Sequence, residues 1–120
     1  MSAMYRLAAL GVFLCGAAQA EPLQFELEIR QHLFSPSVLY VPAGQKIRLK
    51  VSNLDPTPEE FESFSLNREK VILGKRAALL YLGPLQPGQY PFFGEFNPDS
   101  AQGTLIALPA DEWAKREQQP

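Results

Sequence analysis

Glu60 and Glu62 stand two residues apart around Phe61, with Glu59 just ahead of them. In an extended strand that spacing sends both carboxylates out of one face and Phe61 out of the other, so the phenyl ring is the inward anchor and Glu59 falls in the preceding loop. Adjacent like charges raise one another's pKa and cost stability unless a cation sits among them. A hard, oxygen-preferring ion would relieve that cost. The plainer reading is a solvated acidic face offset by Arg68, Lys70, Lys75 and Arg76.

Glu95 is a second candidate. It follows Gly94 in the aromatic-rich run Tyr90-Pro-Phe-Phe93-Gly94-Glu95-Phe96, where a carboxylate is out of character; either it caps backbone donors of the loop or it points into a site. Glu69 could reach the same region or pair with Arg68 or Lys70. His32, the single histidine, is either a ligand or a surface residue in a strand connection. The aromatics Phe61, Phe64, Tyr90, Phe92, Phe93 and Phe96 are core material that could also dry one side of an ion site.

Other chemistry is excluded by what the chain lacks. There is no G-x-S-x-G, no Gly-rich phosphate loop and no hydrolase or transferase motif, so triad-type nucleophilic catalysis is not expected. The first twenty residues read as a signal peptide: Arg6 is a short positive region, Leu7 to Ala18 an apolar one, and Ala18-Gln19-Ala20 a cleavage site ahead of Glu21. Cys15, the one cysteine, leaves with it, and the mature chain is expected in the periplasm with no membrane-spanning segment. Its charge is then 10 Lys+Arg against 13 Asp+Glu, which gives no footprint for nucleic acid or an anionic membrane.

The elements that must position these residues are strands. Leu23, Phe25, Leu27 and Ile29 alternate with polar residues, and Ile47, Leu49 and Val51 do the same after the Pro42-Ala-Gly44 turn. Between them, Phe34 to Val41 reads as one extended edge stretch, because Pro36 lacks a ladder donor. Asp55-Pro-Thr-Pro58 is a rigid loop, and short strands are expected near 59–64, 67–73, 77–82, 90–93 and 103–108. Strands at about ten-residue spacing with Pro/Gly turns argue for an all-β antiparallel sandwich or barrel over residues 21–108. The tail, 109–120, carries Asp111-Glu112 before Lys115-Arg116, which suits one or two helical turns that fray unless Trp113 docks.

Taken together, Val41-Pro-Ala-Gly44, Asn53-Leu-Asp55, Glu60-Phe-Glu62-Ser63, Arg68-Glu-Lys70-Val-Ile72, Gly83-Pro-Leu-Gln-Pro87-Gly-Gln-Tyr90, Phe93-Gly-Glu95-Phe96 and Ala101-Gln-Gly103 resemble the cupredoxin-like proteins of bacterial iron uptake, the EfeO-type cupredoxin group. The likeness runs from about Phe25 to Leu108 and implies a Greek-key β-sandwich. In cupredoxins generally, the loop after Asn-x-Asp supplies a histidine, and the region after Pro-Gly-x-Tyr supplies cysteine, histidine and methionine. Here the first position is taken by Glu60 or Glu62, and the second reads Gly94-Glu-Phe-Asn97. Related proteins carry histidines near Phe64 and Asn97, so the chain departs from the pattern at both. Without thiolate and thioether donors a blue-copper site is not expected.

The resemblance implies instead an iron or copper ion held through Glu60, Glu62, Glu69 and Glu95, with His32 as a weaker addition. It implies work beside an iron permease and a periplasmic iron-binding protein. Oxygen donors favour Fe(III) over Fe(II), which makes a ferroxidase-type accessory role physically reasonable. The alternative is an interaction module that keeps the fold without a functional metal site.

Overall fold

The computed structural model describes residues 21–117; the expected signal segment, with Cys15 and the cleavage site, lies outside them. Strand alternation sets the layers. In β1 (Leu23–Arg30) and β4 (Ile47–Asn53), Leu27, Ile29, Ile47, Leu49 and Val51 are fully buried, while Glu26, Glu28, Arg48 and Lys50 take the other side. With β2 (Leu33–Ser35) and β7 (Ala77–Leu82) they form a four-stranded sheet in the order β2-β1-β4-β7. The second sheet has five strands in the order β3-β9-β8-β5-β6, from β3 (Val38–Pro42), β5 (Glu59–Ser63), β6 (Arg68–Ile72), β8 (Gly88–Gly94) and β9 (Gln102–Leu108).

The sandwich is as expected, with two refinements. Phe34 to Val41 is not one strand: the chain breaks at Pro36-Ser37, so that β2 pairs with β1 in one sheet and β3 with β9 in the other. A proline with no N–H to donate is a natural place to leave a ladder. Most neighbours are antiparallel, but β1 with β4 and β3 with β9 run parallel. Each parallel pair joins strands distant in sequence, as a crossover requires.

Phe34, Phe61 and Phe92 knit the two sheets together. Phe34 meets the Phe92 ring edge-on at 5.0 Å between centroids, and Phe61 stacks on Phe92 at 5.2 Å. Such pairs add roughly 0.5–1.5 kcal/mol each beyond area burial. They fix β5 in depth and rotation, which matters for the residues either side of Phe61.

The tail forms α1 (Ala110–Glu117) and it does dock. Trp113 packs edge-on against Phe25 of β1 at 5.8 Å, and the Arg116 guanidinium lies 3.9 Å over the Tyr40 ring of β3. One short helix thus touches both sheets, which is how eight residues stay helical when isolated they would not. Among the described residues no helix is long and apolar enough to cross a membrane.

Candidate metal centre

Strand β5 presents carboxylates on both of its faces. With Phe61 buried among the aromatics, Glu59 shares its inward side and Glu60 and Glu62 project from the outer face of the five-stranded sheet. Glu59 is therefore not a loop residue: it opens β5, opposite Ile72 of β6, and is only 1% exposed. Its Oε1 accepts the N–H of Phe96 at 2.9 Å and of Glu60 at 3.0 Å, and its Oε2 accepts Asn97 Nδ2 at 2.7 Å. The carboxylate that caps the 94–97 turn is thus Glu59. Gly94 makes room for it, since a Cβ there would lie 2.6 Å from Glu59 Cδ and 2.7 Å from the Ala101 Cβ.

Glu95 takes the other route. Its N–H donates to the Glu60 carbonyl at 2.9 Å, one step past the last β5–β8 pair, and this brings Glu95 alongside Glu60. Glu60, Glu62 and Glu95 each offer a carboxylate oxygen, and the three oxygens lie within 4.8 Å of one another. Glu69 is directly across from Glu62 in the β5–β6 register, so all four predicted glutamates meet on one patch. Phe93 is the other cross-strand neighbour of Glu62 and packs on Phe64, ring centroids 5.5 Å apart. Phe64 itself is 80% exposed, on the rim rather than in the core.

The electrostatics of this patch are unrelieved. Burial, followed by the charges of Glu95, Glu69 and Glu59, pushes the Glu60 carboxyl above its ordinary value. Burial, then the Glu69 carboxyl opposite and the charges of Glu95 and Glu60, does the same to Glu62. Glu62 is 8% exposed, and its Oε2 is buried with no hydrogen-bond partner. The cations that could offset an acidic face are engaged elsewhere or stand free: Arg68 donates to the Asn67 and Tyr81 carbonyls, and Lys75 to the Leu54 carbonyl. Among the described residues the ion pairs are His32 with Asp55 and Arg48 with Glu21, and neither involves the patch.

His32 is not brought to the glutamates. It sits at a left-handed φ of 58° in the β1–β2 turn, where its N–H donates to Asp55 Oδ2 at 3.0 Å and its Nδ1 lies 3.6 Å from the same oxygen. Gln31 N–H donates to the other Asp55 oxygen at 2.7 Å, and these backbone donors, His32's foremost, hold the Asp55 carboxyl below its usual range. The pair is a turn clasp. Asn97, near a position where related proteins carry a histidine, holds Glu59 instead.

A family model for the cupredoxin-like domain matches residues 3–107. An uncharacterized protein of Rickettsia prowazekii (strain Madrid E) is 44% identical over 84 residues, 70% of this chain and 67% of that one. Solved structures share the fold at low identity. The periplasmic domain of cytochrome oxidase subunit II from Bradyrhizobium japonicum superposes with a TM-score of 0.67 at 11% identity, over 78% of this chain and 89% of that one. The blue copper protein auracyanin A from Chloroflexus aurantiacus gives 0.62 at 13%, over 72% and 99%. The metal-binding domain of a Cu(I)-exporting P-type ATPase from Streptococcus pneumoniae, solved with Cu(I), gives 0.63 at 10%, over 71% and 84%. Copper in such folds asks for thiolate, thioether or imidazole donors. Residues 21–117 contain no cysteine or methionine, the one histidine is tied to Asp55, and the donors that converge are carboxylates. With the sandwich, its register and the family match in agreement, the chain belongs to the cupredoxin-like domain family.

Proposed function

We propose that this is a periplasmic metal-binding accessory protein of an iron-uptake system, which takes up iron at Glu60, Glu62 and Glu95 with Glu69 at their side. The observation that carries the reading is the convergence of three carboxylate oxygens within 4.8 Å with no protein cation among them. Such a group is destabilised when empty and relieved by a hard cation, the preference of oxygen donors. The unpartnered Glu62 Oε2 is an acceptor already desolvated on the protein side.

The likeness to EfeO-type cupredoxins supports iron as cargo, with an iron permease and a periplasmic iron-binding protein as partners. Anionic oxygen ligands stabilise Fe(III) more than Fe(II), so the patch biases its cargo toward loss of one electron. Completing the oxidation would need an electron acceptor such as a copper(II) ion in a partner protein, which would take up the one electron that iron gives up. The chain's own contribution is to gather the carboxylates, whose charged forms a cation among them would favour, and to wall one side with Phe93 and Phe64. No thiolate takes part, so copper-loaded protein should lack an intense thiolate-to-copper absorption band.

The test is made in cells. Radioiron uptake and growth under iron limitation are compared for a strain lacking the gene, complemented with wild type or with Glu60→Gln/Glu62→Gln. Wild type alone should restore uptake; equal restoration by both, or no uptake defect in the deletion strain, would refute the iron-uptake role.

A further inference from the structure

A second charged site lies on the other sheet, with the opposite sign. Arg30 at the end of β1, Lys50 and Ser52 on β4, and Lys75 and Arg76 in the turn before β7 line one cleft. Four cations share a cleft in a chain whose net charge is −2, a local basic footprint that the overall charge balance does not reveal. Among the described residues none of the four has a carboxylate within ion-pair reach. The carboxylates on the same outer face, Glu26 and Glu28 of β1, stand opposite Lys50 and Ser52 in the register and lie outside the cleft lining. The acidic patch occupies the outer face of the five-stranded sheet, so the two charge clusters cannot neutralise one another within the molecule.

The cleft is built rather than loosely draped. The Arg76 carbonyl accepts Asn53 N–H at 2.8 Å, Lys75 N–H donates to the Asp55 carbonyl at 2.9 Å, and Arg76 N–H donates to the Leu73 carbonyl at 3.1 Å. Lys75 is held at a left-handed φ of 60°. Gly74 packs so closely on the Pro56 carbonyl that no side chain would fit there, which locks the cationic turn against the 55–58 loop. A fixed backbone reduces the ordering that a ligand must impose.

We infer that this cleft is a binding site for a phosphate-type oxyanion, either a free phosphate or the phosphodiester of a lipid headgroup. Two guanidinium forks match the paired oxygens of such a group, the Lys50 ammonium supplies charge along with that of Lys75, which also donates to the Leu54 carbonyl, and Ser52 adds a hydroxyl donor. The site is independent of iron binding.

The test titrates purified protein with inorganic phosphate at constant ionic strength, following backbone amides by NMR, with chloride as the control. Saturable shifts are expected at residues 50–54 and 74–77, with a dissociation constant of about 1 mM or tighter. Arg30→Gln/Arg76→Gln should weaken binding by about tenfold or more, since both guanidinium forks are lost. Lys50→Gln serves as a second variant should the first fold poorly, and Glu62→Gln should leave phosphate binding unchanged. Co-sedimentation with phosphatidylglycerol against phosphatidylcholine vesicles separates the sources: saturable phosphate binding assigns a soluble oxyanion, and binding to anionic vesicles alone assigns a headgroup. Chloride-like, unsaturable shifts without vesicle binding, or full binding by Arg30→Gln/Arg76→Gln, would overturn the assignment.

Discussion

The two faces of β5 hold the same functional group in opposite states. On the inner face the Glu59 carboxylate is buried and fully satisfied, with three donors at 2.7–3.0 Å; on the outer face Glu60 and Glu62 crowd Glu95 and Glu69, and one Glu62 oxygen has no partner. Burial alone does not decide which carboxylate is structural. What decides is whether donors reach it, and two of the three come from a loop 37 and 38 residues away in sequence. Glu59 is a rivet, whereas its neighbours are left for something that the chain does not itself provide.

Removing the rivet should have the largest effect. Glu59→Ala removes the acceptor of the part-buried Phe96 N–H and Asn97 amide, and at about 1.5–3 kcal/mol per hydrogen bond to a charged group the loss should be about 3 kcal/mol, read by urea unfolding. Gly94→Ala attacks the same clasp from outside by overpacking, at about 2 kcal/mol in the same assay. On the outer face Glu62→Gln should behave in the opposite sense, leaving metal-free stability unchanged or raised because a like charge is removed. A large loss there would erase the distinction between the faces.

Much of this contrast is readable in the chain, and the unreadable part has a physical cause. Period-two alternation reveals β1, β4 and the outward pairing of Glu60 with Glu62, because side-chain direction in a strand is a local property. Glu95 betrays itself as a charge in an aromatic run. Glu59 is misread as a loop residue because Pro56 and Pro58 dominate the local signal, while its place in β5 is set by pairing with β6 and by the 94–97 turn. The left-handed turn that ties His32 to Asp55 is equally invisible, as is the switch of sheets at Pro36-Ser37. The basic cleft joins residues from 30 to 76, which only the sheet order brings together.

Smaller effects follow. Trp113→Ala should free α1 from Phe25 and lower stability by about 1 kcal/mol, with loss of helical signal in far-ultraviolet circular dichroism. Acidity should separate the two kinds of carboxylate most finely. Glu60 and Glu62 hold their protons more tightly folded than unfolded, so their contribution to metal-free stability is fullest below their ordinary value of 4.5 and falls as pH rises through their raised values. Asp55 runs the other way: its stabilisation is present above 3.8 and is lost as pH falls through its lowered value. A bound cation should abolish the first trend and leave the second, which thermal melts with and without metal across that range would reveal.

The most direct measurement is an equilibrium titration of metal-free protein with Fe(III), supplied as a weak chelate, and with Cu(II), comparing wild type with Glu60→Gln/Glu62→Gln. Four carboxylates meeting on one patch predict that wild type binds one hard ion more tightly than roughly tens of micromolar, and that the double variant binds at least about tenfold more weakly. Binding of both ions weaker than that limit, or equal binding by the double variant, would contradict the assignment of this face as a metal site.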